Sequence, residues 1–178
     1  MAKSNPKWDR RPVIVHAQLI APPDLARFQE LDVIANFQPL WTYLDPMNKE
    51  LIEPRIGAAR NNRQYQLRTL LDLGTNISFG SDWPVTSHKP LEAIFIPVLR
   101  KVPGSKNEPW NLNEAITLEE SLTSYTTNAA YQLFSEPEIG KLAPDMRANF
   151  VVLDKNPFET INVKIKSVWI DGLEVKAD

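Results

Sequence analysis

The chain has 178 residues, 43% of them hydrophobic and 24% charged, which is enough apolar matter for a buried core and excludes a disordered polar chain. Twenty Lys and Arg stand against 22 Asp and Glu, and the net charge of -2 without a long run of one sign leaves no basis for a nucleic-acid partner. No cysteine is present, so disulfides, thiolate metal sites and a cysteine nucleophile are excluded, and no stretch approaches the roughly 18–20 apolar residues that cross a bilayer.

The first eleven residues, Met1 to Arg11, are polar and lack the apolar core of a signal peptide. With the absence of cysteine this fits a cytoplasmic protein with no membrane partner. Pro12-Val13-Ile14-Val15 is an apolar, β-branched run that stops at His16-Ala17-Gln18, the pattern of a buried strand ending in a histidine. Pro22-Pro23-Asp24 opens a short helix running to about Asp32, with Leu25, Phe28 and Leu31 on one face. Val33 to Gln38 is the next strand, closed by Pro39. Leu40 to Pro54, rich in aromatics and acids, reads as a long functional loop.

Gly57 to Leu73 reads as one helix with Ala59, Tyr65, Leu70 and Leu73 inward and Gly74 as its cap. Asn76 to Phe79 is a third strand, and Gly80-Ser81-Asp82-Trp83-Pro84 delivers a carboxylate into the loop behind it. From Pro90 to about Lys101, Leu91, Ile94, Phe95, Val98 and Leu99 recur at helical spacing. Pro103 to Glu114 reads as a mobile excursion or lid. Thr117-Leu118-Glu119-Glu120 has the form of a capping box, and Thr127 or Asn128 is placed to cap a second helix through Phe134. After Gly140 the chain turns β-rich, and Asp171-Gly172 between two apolar runs predicts a two-residue hairpin turn.

Strand, helix, strand, helix, strand, helix argues for parallel strands joined by helical crossovers. In such architectures the reactive groups stand at the C-terminal ends of strands. Here those ends carry His16 and Gln18, then Gln38, then Ser81 and Asp82. An imidazole and a carboxylate at neighbouring strand ends suit a divalent metal, and the carboxylate can take a proton from metal-bound water. A lone histidine can equally be a structural hydrogen-bonder, and an aspartate before Trp-Pro a turn residue. His88 borders the same region, and Trp41, Trp83 and Trp110 are candidates to line an apolar pocket or simply to pack.

Several longer motifs resemble the C-terminal half of the amidohydrolase superfamily. They include Val15-His16-Ala17-Gln18-Leu19, Val33 to Trp41, Phe79 to Val85 and Pro90-Leu91-Glu92-Ala93-Ile94. Tyr125-Thr126-Thr127-Asn128-Ala129-Ala130, Ile139 to Pro144 and Asn149 to Asp154 continue the likeness. The resemblance is to the metal-dependent "amidohydrolase 3" branch, which includes the N-substituted formamide deformylases. It implies an α/β fold: about three β/α units from the C-terminal part of a (β/α)8 TIM-type barrel (residues 1–137), then the C-terminal share of a β-sandwich (residues 138–178).

On that map the strands before His16, Gln38 and Asp82 are the sixth, seventh and eighth of the barrel. His16 becomes a metal ligand and Asp82 both ligand and catalytic proton shuttle, while Gln38, Trp41 and Trp83 shape the pocket for a small amide-like substrate. The implied reaction is hydrolysis of carbon–nitrogen bonds other than peptide bonds by metal-activated water, with zinc as the implied divalent ion.

The His-x-His pair, the bridging acid or modified lysine and the fifth-strand histidine of the superfamily have no counterpart here. Asp145-Met146-Arg147-Ala148-Asn149 also replaces the usual Gly-Lys-x-Ala-Asp pattern. The expectation is therefore a C-terminal fragment that is inactive and metal-free alone, needs the missing N-terminal half of the barrel, and self-associates, as a homodimer for example, through exposed strand edges. Two other readings stay open: a non-catalytic regulatory or interaction module with the same fold, and a complete small α/β protein.

Overall fold

A computed structural model of the protein describes residues 8–175. Its first layer is a three-stranded parallel sheet of β1 (Val13–Val15), β2 (Ile34–Phe37) and β3 (Ile77–Phe79), in that spatial order. Val15 pairs with Asn36 and Asn36 with Ser78. Side chains alternate across a strand, so each residue type falls on a fixed face. Ala35, Phe37, Ile77 and Phe79 join the hydrophobic core with Phe28, Leu67 and Leu70. Asn36 and Ser78, one position out of step, form a polar face that is nevertheless buried.

Helix α1 (Pro22–Glu30) connects β1 to β2, starts on its two prolines and carries Asp24 in its first turn. Phe28 is buried by it, whereas Leu31, past its end, is exposed.

The segment expected as one helix from Gly57 to Leu73 is broken. After a π-helical turn at Asn48–Ile52 come three pieces, α2 (Glu53–Ile56), α3 (Ala58–Asn61) and α4 (Leu67–Asp72). Tyr65, at φ 53°, interrupts the helical path, and its N–H instead bonds the Gln18 carbonyl at 2.8 Å. The inward face therefore belongs to Tyr65, Leu67 and Leu70, not to Ala59 or Leu73, which are exposed. Gly74 ends α4 at φ 80°, as its position predicts.

The helix after β3 is likewise split, into α5 (Pro90–Ala93) and α6 (Ile96–Leu99), because Pro97 supplies no backbone donor inside it. Pro103 to Glu114, expected to be mobile, is fastened to the core. Arg100, 0% exposed and left-handed at φ 53°, exchanges hydrogen bonds with Trp110: its carbonyl accepts from Trp110 N–H at 2.9 Å and its Nε donates to the Trp110 carbonyl at 3.0 Å. Trp110 packs edge-on against Tyr65 in the core, with ring centroids 6.1 Å apart, so it lines no pocket. Glu114 accepts the Thr69 N–H at 2.9 Å and pins the other end of the segment. Burial of the tryptophan offsets part of the entropy lost in ordering the segment, and the hydrogen bonds at both of its ends add to that.

Helix α7 (Leu118–Tyr125) carries the predicted capping box, with Glu120 N–H on Thr117 Oγ1 at 3.1 Å and the Glu120 carboxylate on Thr117 N–H at 2.8 Å. Helix α8 (Thr127–Gln132) has Thr126, not Thr127 or Asn128, at its cap position, and the Thr126 hydroxyl donates back to the Leu122 carbonyl at 2.8 Å in place of capping α8. Asn128 donates instead to the Ile77 carbonyl at 2.9 Å, which ties α8 to β3.

A second sheet is antiparallel: β4 (Phe150–Leu153), β5 (Ile165–Ile170) and β6 (Leu173–Val175). Asp171 and Gly172 turn the β5–β6 hairpin with φ 51° and 78°, the positive pair that a two-residue turn needs. Apolar side chains remain exposed across it, including Val151, Ile165, Ile170 and Leu173.

Candidate functional site

Both candidate ligands leave their strands through a left-handed residue. His16 follows β1 at φ 71°, and Asp82 lies beyond β3 at φ 54°, ahead of a cis Trp83–Pro84 peptide. Such conformations in non-glycine residues are uncommon and turn a side chain out of the direction the strand would give it. With β2 between them, β1 and β3 stand about 10 Å apart at the usual strand spacing.

That gap is lined by the polar face. His16 Nδ1 lies 2.7 Å from Gln38 Oε1, and Gln38 Nε2 donates to Asn36 Oδ1 at 3.2 Å. Asn36 Nδ2 donates to Ser78 Oγ at 3.0 Å and to Gln132 Oε1 at 3.2 Å, and Ser78 also donates to Gln132. The relay thus runs from α8 across β3 and β2 to the imidazole. Since the Gln38 amide nitrogen is committed to Asn36, its oxygen faces His16 and accepts the Nδ1 proton. Nε2 is then the lone-pair nitrogen, with no hydrogen bond among the described residues. Trp41 stacks flat on the imidazole, centroids 5.2 Å apart and planes 9° from parallel, which fixes the ring in the other direction.

Gln38 is 2% exposed, so the structure puts it behind His16 and not on an open pocket wall. Asn36, Ser78 and Gln132 are absent from the sequence-level candidates. The available signal was polar residues at alternate positions of otherwise apolar strands, Asn36 with Gln38 and Ser78 with Gly80.

The Asp82 side chain is half-buried, and among the described residues no donor engages its carboxylate. Its carbonyl accepts Val85 N–H at 2.8 Å, and Thr86 Oγ1 donates to the Ser81 carbonyl, so backbone contacts hold the loop while the acid stays available. Trp83 is 66% exposed and meets His88 edge-on at 6.4 Å.

Beside Trp41 lies a cavity of about 650 Å³, within the size range of small-molecule sites. Its walls include Trp41, Tyr43, Asp45, Asn48, Tyr65 and Glu92, with Val85 to Ser87 from the loop after Asp82. Of the sequence-level candidates only Trp41 and Gln18 reach it; His16, Gln38, Asp82 and Trp83 do not line it.

An imidazole with one nitrogen held and the other free, and an unengaged carboxylate, are donors that suit a divalent ion. They do not complete a site: no group of three or more His, Cys, Asp or Glu that could hold a metal occurs among the described residues. None of the helices among them is long and apolar enough to cross a membrane.

The amidohydrolase family model matches residues 1–175. The chain is 30% identical over 180 residues to Protein LONG AFTER FAR-RED 3 of Arabidopsis thaliana, covering 98% of this chain and 30% of that protein. It is 30% identical over 115 residues to the N-substituted formamide deformylase of Arthrobacter pascens, covering 61% of this chain and 21% of the deformylase. Among solved structures, an uncharacterized metal-dependent hydrolase from Pyrococcus furiosus superposes with a TM-score of 0.62 at 30% identity, over 78% of this chain and 27% of that one. The chain thus spans about a third or less of the length of these relatives.

Proposed function

This chain belongs to the amidohydrolase family, and from that premise we propose that it forms part of a metal-dependent hydrolase of carbon–nitrogen bonds other than peptide bonds. The relay that leaves His16 Nε2 free, with an unengaged Asp82 two strands away, carries this reading. The name of the Arthrobacter relative supports the amide-like substrate class.

In this reading a divalent ion, zinc as the leading candidate, is held by His16 Nε2, by Asp82 and by donors from outside the described residues. When bound, such an ion polarises the substrate carbonyl and lowers the pKa of a water. His16 contributes Nε2, the nitrogen that Gln38 leaves free. The second Asp82 oxygen receives the proton of the attacking water and returns it to the departing nitrogen. Trp41 backs His16 and forms one wall of the adjoining cavity, where the substrate's substituent is received.

The parallel sheet is read as the sixth to eighth strands of a (β/α)8 barrel, and residues 138–178 as a share of a β-sandwich. β1 ends the sheet with Ile14 and Val15 exposed, and the antiparallel sheet shows apolar side chains outward. Such edges and faces call for cover. In the complete enzyme the rest of the barrel supplies it; alone, the chain self-associates. Sedimentation at increasing concentration should show species larger than monomer, and a monodisperse monomer would remove that part of the proposal.

Asp82→Asn in the complete enzyme tests the catalytic assignment. Hydrolysis of an amide-like substrate should fall by about 10²–10⁴-fold, the usual worth of a positioned acid–base group. Full activity in that variant would overturn the role of Asp82.

A further inference from the structure

The cavity beside Trp41 has a one-sided chemistry. Its charged wall residues are Asp45 and Glu92, and no Lys or Arg lines it. Trp41, Tyr43 and Tyr65 give it aromatic surface, with Leu40, Ile52 and Ile96 among its apolar contacts. Tyr65 is 2% exposed, yet no partner engages its hydroxyl among the described residues. Asn48 Oδ1, on the same wall, is buried without a partner, and such an atom costs free energy unless a ligand or water meets it.

Asp45 is the acid whose charge reaches the two tyrosines. It accepts Asn48 N–H through Oδ1 at 2.6 Å, which fixes its position and leaves Oδ2 without a partner. Its charge bears on both Tyr43 and Tyr65, whose hydroxyls are pushed up first by burial and then by Asp45, with Arg100 opposing the rise at Tyr65. Neither neighbouring cation lines the cavity. Arg100, buried behind Tyr65, donates to the Trp110 and Tyr65 carbonyls, and Lys89 lies 3.9 Å from Glu92 on the surface.

We propose that this cavity binds an alkylammonium group: the cation meets the Asp45 carboxylate and the aromatic faces, and its hydrocarbon stem fills the apolar remainder. Aromatic faces attract a cation, and a carboxylate on the same wall strengthens the attraction. An anionic group would meet two carboxylates and no cation among the lining residues. Within the hydrolase reading above, on which this step rests, the amide substrate carries a cationic substituent. The cation site itself does not depend on that reading.

Calorimetric titration of the 178-residue chain with cyclohexylammonium chloride and with cyclohexanol tests the proposal, because the two differ in charge and hardly in shape. The ammonium ion should bind at least tenfold more tightly. Asp45→Asn, which keeps the acceptor for Asn48 N–H, should reduce the preference to about threefold or less, with an unchanged circular-dichroism spectrum. Glu92 is exposed, so Glu92→Gln keeps the test decisive should the first variant fail to fold; it should lower the preference about twofold. Equal binding of the two ligands, binding of neither, or a preference unchanged in the variants would overturn the site. The titration involves neither metal nor turnover, so an inactive His16–Asp82 pair leaves its outcome untouched, and failure here leaves the hydrolase reading standing.

Discussion

His16 Nδ1 and Gln38 Oε1 lie 2.7 Å apart, and Asn36 holds the Gln38 amide in the orientation that makes its oxygen the acceptor. Which nitrogen of the neutral His16 ring carries the proton is therefore decided by a residue one strand away. In wild-type protein, ¹⁵N resonances of His16 should show Nδ1 protonated and Nε2 bare. Gln38→Leu should move the proton to Nε2 and, in the complete enzyme, weaken metal binding about 10–100-fold, the usual cost of losing such a partner. An unchanged tautomer would show that Gln38 does not set it.

The break at Tyr65 makes Leu70 of α4 and Leu73, just past its end, unequal. Leu70 is fully buried and Leu73 is 40% exposed. Leu70→Ala should destabilise the fold by about 2–5 kcal/mol, and Leu73→Ala by well under half of that. Urea unfolding reads both, and equal costs would restore the single helix.

At the start of α7, Thr117→Ala should cost about 1 kcal/mol. Burial works to raise the Glu120 pKa, but the Thr117 N–H and the Arg68 guanidinium, 2.8 Å away, outweigh it and hold the carboxyl below the usual range. A depressed carboxyl stabilises the fold above its unfolded pKa and loses that contribution as pH falls through the folded value. Glu120→Gln should thus lower the melting temperature at pH 7 and make little difference at pH 3.

Tyr125 packs edge-on against Phe79, centroids 5.3 Å apart, and burial pushes its hydroxyl up. The unfolded chain ionises first, so stability is full below the ordinary tyrosine pKa of about 10 and falls as pH rises beyond it. Tyr125→Phe keeps the ring contact. It should be close to neutral at pH 7 and lose less stability than wild type above pH 10 in thermal melts.

Gln132 closes the relay from α8, bonding both Asn36 and Ser78. Gln132→Leu would leave both groups buried without their far partner, at a cost of about 1–3 kcal/mol. The same His16 resonances would then report whether the disturbance travels along the relay.

The strands, the Thr117 capping box, the Gly74 cap and the Asp171-Gly172 turn were legible because each rests on local chemistry: β-branched runs, a side chain three residues from its partner, a residue that tolerates positive φ. The family was legible too, since its motifs lie in long contiguous stretches. His16 and Asp82 could be singled out as polar groups at strand ends. Nothing local showed that Gln38 would turn toward His16, since that bond spans 22 positions and depends on the β1–β2 register.

The remaining departures share one cause. Helical spacing from Gly57 to Leu73 and from Pro90 to Lys101 is real, but Tyr65 N–H finds a better partner in Gln18 and Pro97 offers no donor, so tertiary bonding and ring sterics cut both runs. Trp110 leaves a polar segment for the core because only the folded chain brings Tyr65 and Arg100 to meet it. By itself the sequence determined the strands, their order and the caps and turns between them, all properties of neighbours along the chain. The tertiary structure decided which nitrogen of His16 is free, which tryptophan backs it, and that acids and aromatic rings enclose one cavity, because those contacts join residues that only strand register and packing bring together.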